Sequence, residues 1–479
     1  MLGPALFALA RLLPAPAGMS DPAWATAAVA LLLAVWWMTE ALPLGATSLL
    51  PLVLFPLLGI SSVEAAAAPY ANPTVFLFLG GFLIAIAVER SGLHRRAALA
   101  ILGRVGARPA NLVAGFMAAT ALLSMWISNT ATTLMMLPMA MSVLALAGGE
   151  EGGAPPDPAL GPAVLLGVAY AASIGGLGTL IGTPPNALLA AFLSERVGFE
   201  IGFGRWMLIG VPLVLISLPI CWLILTRIAC RLGNAPVGGI DGIAAARRAL
   251  GRPSGAERMV GSVMAGAALL WMVRPLVARV VPGLDDATIA VGGALLLFAL
   301  PVNWRKREFA LDGADLERLP WSVLLLFGGG LSLAAAIQSS GLAAWIGAAL
   351  ERLGTLPLPL LVLGVVASVV FLSELASNTA AAATFLPIAG ALAVGIGASP
   401  LLLVVPAALA ASCGFMLPVA TPPNAIVYGT GRVPLQRMLR AGLLLNLAMI
   451  AIVTLAAFLL VPSVLGSGPG PGAPSAASP

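Results

Sequence analysis

The chain has 479 residues, 60% of them apolar and only 9% charged, with a mean hydropathy of +1.04. A soluble domain carries about 25% charged residues, so the composition excludes a soluble protein and indicates an integral membrane one. The net charge of +5 comes from loop arginines rather than a nucleic-acid footprint, and one histidine (His94) with three cysteines (Cys221, Cys230, Cys413) offers neither a disulfide framework nor much metal chemistry.

Residues 1–22 contain a short apolar segment interrupted by Arg11 and prolines. It is too short for a clear crossing and reads as a signal peptide, an interfacial helix or a thinned first helix. A first repeat, 23–228, follows, with apolar spans near 24–40, 44–60 and 74–90 and then a basic stretch of Arg90, Arg95, Arg96, Arg104 and Arg108. The next apolar segment, 109–147, is interrupted at its middle by Ser128-Asn129-Thr130. A Gly/Pro/acidic loop (148–160) leads to a span at 160–195 that is broken at Gly182-Thr183-Pro184-Pro185, and 205–228 closes the repeat. Residues 229–258 form a polar, arginine-rich linker. The second repeat, 259–462, has spans at 259–280, 287–303 and 320–340. It continues with 357–396 around Ser377-Asn378-Thr379, 400–430 around Thr421-Pro422-Pro423-Asn424, and 440–462. The tail 463–479 is Gly, Pro, Ser and Ala and is expected to be disordered.

The two polar triplets belong to an internal duplication. Ser128 and Ser377 lie 249 residues apart, and the same offset carries Gly80-Gly81 onto Gly329-Gly330 and Pro138 onto Pro387. A second motif, Thr183-Pro184-Pro185-Asn186, matches Thr421-Pro422-Pro423-Asn424 at an offset of 238. A register constant over some sixty residues, joined to a second matched motif, marks a repeat.

The runs lack the alternation of a barrel strand, so the crossings are helical. If each triplet segment is a re-entrant hairpin, each half crosses the membrane five times. The loops 89–108, 227–258, 304–319 and 431–440 then share one side and hold 18 Lys/Arg against 5 on the other. That bias makes them cytoplasmic and leaves the C-terminal tail outside. Five crossings is odd, so the halves insert with opposite orientation, as in inverted-repeat transporters with a midplane site. The expected fold is therefore an all-α polytopic membrane protein of two inverted repeats, each with a re-entrant hairpin and one broken helix.

A hairpin tip in mid-membrane frees backbone carbonyls and N–H groups. With Ser, Thr and Asn oxygens, the carbonyls suit a small hard cation, and N–H groups at half-helix N-termini suit an anion. Asn129 and Asn378 are bifunctional, and Thr183 and Thr421 add hydroxyls. The Pro-Pro pairs are expected to stop the helix and free carbonyls upstream. No strong cationic partner lies near these patches in sequence. An anion there would be neutralised by bound cations and backbone dipoles, which couples the two. A single Ser or Thr in a membrane helix commonly bonds back to its own backbone or glues helices together; four patches in matched pairs argue for a site. Glu374 is an intramembrane carboxylate whose counterpart, Met125, is apolar. It either supports the hairpin tip or couples an ion. Glu40 and Trp126 read as anchoring and packing residues.

These paired Ser-Asn-Thr tips and Thr-Pro loops, over residues 24–462, resemble the divalent anion/sodium symporter family of di- and tricarboxylate carriers. The resemblance implies a multi-pass protein of the inner (plasma) membrane, in contact with lipid. It also implies a homodimer, with a scaffold and an elevator-type transport domain in each protomer. One Na+ site would use Ser124, Ser128, Asn129 and Gly182, and the other Ser373, Ala376, Asn378 and Ala420. Ser373 stands where the family has threonine and keeps the hydroxyl. Substrate carboxylates, of the C4-dicarboxylate class, would meet Asn129, Thr130, Thr183, Pro184, Asn378, Thr379, Thr421 and Pro422. Alternatives that keep the fold are a sodium-independent dicarboxylate exchanger or a carrier of sulfate, citrate or arsenite. An enzyme would need a nucleophile, a paired carboxylate site or a metal cluster, and none is found. A channel would not need two symmetric moving hairpins.

Overall fold

The computed structural model describes residues 2–106, 108–147, 157–234, 240–303, 305–350 and 356–466. Most of the loop 148–160 and the tail beyond 466 lie outside the described residues. The first half contains α1 (Leu2–Leu12), α2 (Asp21–Thr39), α3 (Leu44–Thr47), α4 (Leu50–Leu57), α5 (Val63–Ala67) and α6 (Pro73–Ser91). It continues with α7 (Leu93–Leu102), α8 (Pro109–Ser124), α9 (Asn129–Ala147), α10 (Leu160–Gly176), α11 (Pro184–Phe192) and α12 (Phe203–Leu223). Helix α13 (Ile240–Ala249) lies in the linker. The second half contains α14 (Gly255–Val277), α15 (Asp286–Ala299), α16 (Trp321–Ser339), α17 (Leu342–Leu350), α18 (Leu358–Ser373), α19 (Asn378–Gly395), α20 (Leu401–Ala411), α21 (Pro422–Tyr428) and α22 (Leu435–Leu465).

The duplication is visible in these boundaries. The offset of 249 carries both ends of α8 onto those of α18, and the first residue of α9 onto that of α19. The offset of 238 carries Pro184, which starts α11, onto Pro422, which starts α21.

Local chemistry sets the helix ends. Ser20 caps α2, and its hydroxyl accepts from the Ala23 N–H. Ser254 and Glu257 form a capping box at α14. Gly92 ends α6 in the left-handed conformation, φ +79°. Two bundles result. One packs α1 to α6 with α14, α15 and α16. The other packs α8 to α12 with α18 to α22. Helices α7 and α17 link the first bundle to the two hairpins, packing on α8 and α19 respectively. In the first bundle α6 lies directly on α15; a Cβ at Gly80 would stand 2.5 Å from the Ala290 carbonyl carbon, so only glycine permits that approach.

Seven described helices are long and apolar enough to cross a membrane. One is α19, assigned above to a re-entrant arm; by length alone its 18 residues would suffice. The segment 44–60 is divided into α3 and α4, with Pro51 in the first turn of the second piece and Pro56 next to its last residue.

Two expectations, for the span 287–303 and for the Pro-Pro pairs, need revision. The N-terminal segment, for which a thinned first helix is one of the readings, is a packed helix, α1. It lies on α2, with the Trp24 indole N–H donating to the Leu13 carbonyl at 3.1 Å. At 11 residues it reaches roughly half the thickness of a bilayer core. The span 287–303 ends at Ala299, and Pro301–Asn303 pairs as β1 with Glu308–Phe309 (β2), a small exception to an all-α fold. Within the linker, α13 packs on α7 and α9. The Pro-Pro pairs do not stop a helix: Pro184 and Pro422 open α11 and α21 behind Thr183 and Thr421 as N-caps. Proline suits a first helical turn because its missing N–H would have had no partner there.

Candidate functional site

One cavity of about 650 Å³ lies where the two halves meet. Its walls include both hairpin tips (Ser128, Asn129, Thr130; Ser377, Asn378, Thr379) and both broken helices (Gly182, Thr183, Pro184; Ala420, Thr421, Pro422). Helices α9, α11, α19 and α21 therefore all begin at this cavity. Each of them brings its free N–H groups and positive dipole end to this cavity.

The first-half tip is held from behind. Ser124 ends α8, buried, and its hydroxyl reaches the Ala172 carbonyl at 2.7 Å. The Asn129 amide faces three oxygens: Ser124 Oγ at 2.7 Å, the Ala172 carbonyl at 3.0 Å and the Gly182 carbonyl at 3.3 Å. An amide can turn either its NH2 or its oxygen toward such a cluster. With the NH2 inward all three lie within reach of its two hydrogens. Gly176 closes this cluster; a Cβ there would stand 2.6 Å from Asn129 Oδ1, so any side chain would displace the Asn129 amide.

The second-half tip is similar but not identical. Ser373 ends α18, also buried, yet its hydroxyl bonds back to the Val370 carbonyl of its own helix at 2.8 Å. Asn378 Oδ1 is buried and has no hydrogen-bond partner. Gly414 packs between Ser373 and Ala420. Ser124, Ser373 and Ala376 do not line the cavity itself; among the sequence-named residues they sit behind the tips.

The unwound loops, 177–183 and 412–421, are pinned by residues that the motif contained but sequence reasoning gave no role. Asn186 donates to the Gly176 and Thr179 carbonyls at 3.1 and 2.8 Å. Asn424 donates to the Gly414 and Leu417 carbonyls at 3.3 and 3.0 Å. Their place after a paired proline, with no polar neighbour in sequence, was the only available signal.

The expectation of no cationic partner is corrected. Arg318, with Glu40 and Glu89, lines the cavity. It reaches the site through folding, from just before α16. Its charge is shared with Glu89 at 3.1 Å and Asp315 at 3.5 Å. Beside it Arg90 pairs with Asp312 at 2.7 Å and also with Asp315. The hydrogen bond from Arg90 holds the Asp312 carboxyl below the usual carboxylate range. Trp126 stacks on Phe203 with ring centres 6.0 Å apart, the packing role expected of it.

Residues 3–465 match the family described as the sodium:sulfate symporter transmembrane region. The chain belongs to this family of divalent anion/sodium symporters. The symporter chain is 42% identical to the "Sodium-dependent dicarboxylate transporter SdcS" of Staphylococcus saprophyticus, over 97% of this chain and 91% of that protein. It is 41% identical to the protein of the same name from Staphylococcus aureus, over the same shares. The solved structure of the Alcanivorax borkumensis YdaH transporter superposes with a TM-score of 0.52 at 16% identity, over 94% of this chain and all of that one. That likeness concerns the fold alone.

Proposed function

We propose that this chain is a secondary active transporter of C4-dicarboxylates coupled to sodium. The observation that carries this is the meeting of Asn129 and Asn378, one from each half, at one cavity onto which four half-helices open. The two relatives named as sodium-dependent dicarboxylate transporters support the substrate class.

At the first site a sodium ion lies among Ser124, Ser128, Asn129 and the Gly182 carbonyl, with the Asn129 amide turned oxygen inward. The oxygens that already face this amide favour that placement. Unwound backbone carbonyls coordinate Na+ in other inverted-repeat carriers. At the second site it lies among Ser373, Ala376, Asn378 and Ala420, where the unpartnered Asn378 oxygen is a ready ligand. The dicarboxylate lies between the tips. Its carboxylates meet Asn129, Thr130, Thr183 and Pro184 on one side and Asn378, Thr379, Thr421 and Pro422 on the other. The cation at the cavity wall, Arg318, is engaged by two carboxylates, so the ions and helix dipoles supply most of the neutralising charge.

The bundle of α8–α12 and α18–α22 is the transport domain and moves as an elevator against the other. The halves are inverted relative to one another, and two protomers form the working unit. Succinate uptake into proteoliposomes with and without an inward sodium gradient is the test. Uptake only with the gradient is expected. Equal uptake in both identifies a sodium-independent exchanger, which uses the same residues.

A further inference from the structure

Glu374 is almost wholly buried at the end of α18, between Ser373 and the second tip. Its Oε1 accepts from the Phe415 and Met416 N–H groups at 2.7 and 2.8 Å and from the Asn446 amide at 2.7 Å. Its Oε2 accepts from the Leu417 N–H at 2.9 Å. Four donors meet this carboxylate, three at Oε1 and one at Oε2, so Oε1 is saturated and Oε2 keeps one acceptor position. A cation would meet a carboxylate whose charge is already engaged by four donors, and an anion would be repelled. Direct ion coupling, one of the two roles open from sequence, is therefore disfavoured, and support of the tip remains.

What it supports is specific. The three N–H groups belong to consecutive residues of the loop 412–421, a backbone concavity suited to an anion. Asn446 belongs to α22. One carboxylate thus ties hairpin, loop and α22 together. In the first half the equivalent loop N–H groups, Leu177 and Gly178, bond to the Ile174 and Gly175 carbonyls in ordinary turns. There the loop meets its tip through a neutral bond, the Thr179 hydroxyl donating to the Met125 carbonyl.

We propose that Glu374 is a positioning residue for sodium at the second site. It takes the loop N–H groups for itself, and so holds Gly414 and Ala420 against Ser373 before the ion arrives. The two sodium sites are consequently unequal, one preorganised by a charge and the other by neutral contacts. This rests on the sodium-coupled function proposed above.

The test is succinate binding to the purified protein at graded sodium, with melting temperature recorded in parallel. Glu374→Gln keeps the shape but cannot accept all four bonds. Its half-saturating sodium should rise roughly tenfold to a hundredfold, the loss expected for buried charge-assisted bonds. Succinate affinity at saturating sodium should shift by less than about threefold, because the anion contacts are intact. Asn446→Leu, which removes one donor only, should move sodium in the same direction by less, and it stands in if Glu374→Gln does not fold. A lower melting temperature with an unchanged sodium curve would overturn the proposal and leave Glu374 as a fold stabiliser. An equal loss of succinate affinity at saturating sodium would overturn it too. Wild-type binding that ignores sodium would instead defeat the underlying function.

Discussion

Asn186 and Asn424, 238 residues apart, make the same pair of hydrogen bonds in the two halves. Each donates its amide to two carbonyls in the stretch that precedes its own helix, the last residue of α10 and the loop after it in one case (Gly176 and Thr179) and the loop alone in the other (Gly414 and Leu417). Both side chains are fully buried. The loops keep their irregular shape because these amides take the place of the missing helical donors.

Asn186→Leu and Asn424→Leu should each therefore strip the amide donor from two carbonyls, leaving Thr179 or Leu417 with one backbone N–H and Gly176 or Gly414 without that partner. The cost is about 1–3 kcal/mol, or one to two decades in affinity. Sodium titration of succinate binding should show each variant needing about tenfold more sodium. Unchanged sodium dependence would mean that the loops hold their shape without the amides.

The seam between the bundles carries polar links on the side away from Arg318. Asn72 donates to Glu195 Oε1 at 2.6 Å, the Phe203 N–H donates to Asp286 Oδ2 at 2.8 Å, and Arg274 stands 3.8 Å from Glu200. Movement of one bundle along the other has to break them. Asn72→Ala should weaken this arrangement by about 1 kcal/mol, a roughly fivefold shift in population. A cysteine placed at cavity residue 377, in a background without Cys221, Cys230 and Cys413, should then react more slowly with an impermeant thiol reagent from the Arg318 side. Equal rates would show that the link does not select this state.

The charge bias of 18 to 5 predicts the side on which the linker lies. Ser254→Cys, in the same cysteine-free background, should label in inverted vesicles and not in intact cells. Labelling in intact cells would defeat the hairpin arrangement. The cavity, with Glu89 and Arg318 at its wall, would then open to the other side.

Much of this architecture could be read from the chain because the duplication is written in residues that lipid makes expensive. Ser128-Asn129-Thr130 and its copy, and the two Thr-Pro-Pro-Asn motifs, stand out against apolar runs, and they line one cavity. The helix ends around the tips follow the same offset. The parts that escaped depend on contacts distant in sequence. Arg318 reaches the cavity from a loop far from any motif. Glu374 reads as a lone carboxylate until the loop at 415–417 and Asn446 are seen to surround it. The role of the Pro-Pro pairs was misread because proline both ends and begins helices, and only the position of Thr183 and Thr421 as N-caps decides which.

Coupling is the central claim, and reciprocal linkage tests it most directly. Sodium must tighten succinate binding by the same factor as succinate tightens sodium. The measurement is succinate binding to purified protein at graded sodium, for wild type, Asn378→Ala and Thr421→Ala. Asn378 is placed to touch both cation and anion, so its loss should raise both half-saturating concentrations together, by roughly one to two decades. Thr421→Ala should raise mainly the succinate value. A wild-type succinate affinity that does not change with sodium would contradict the account, and the same cavity would then belong to a sodium-independent exchanger.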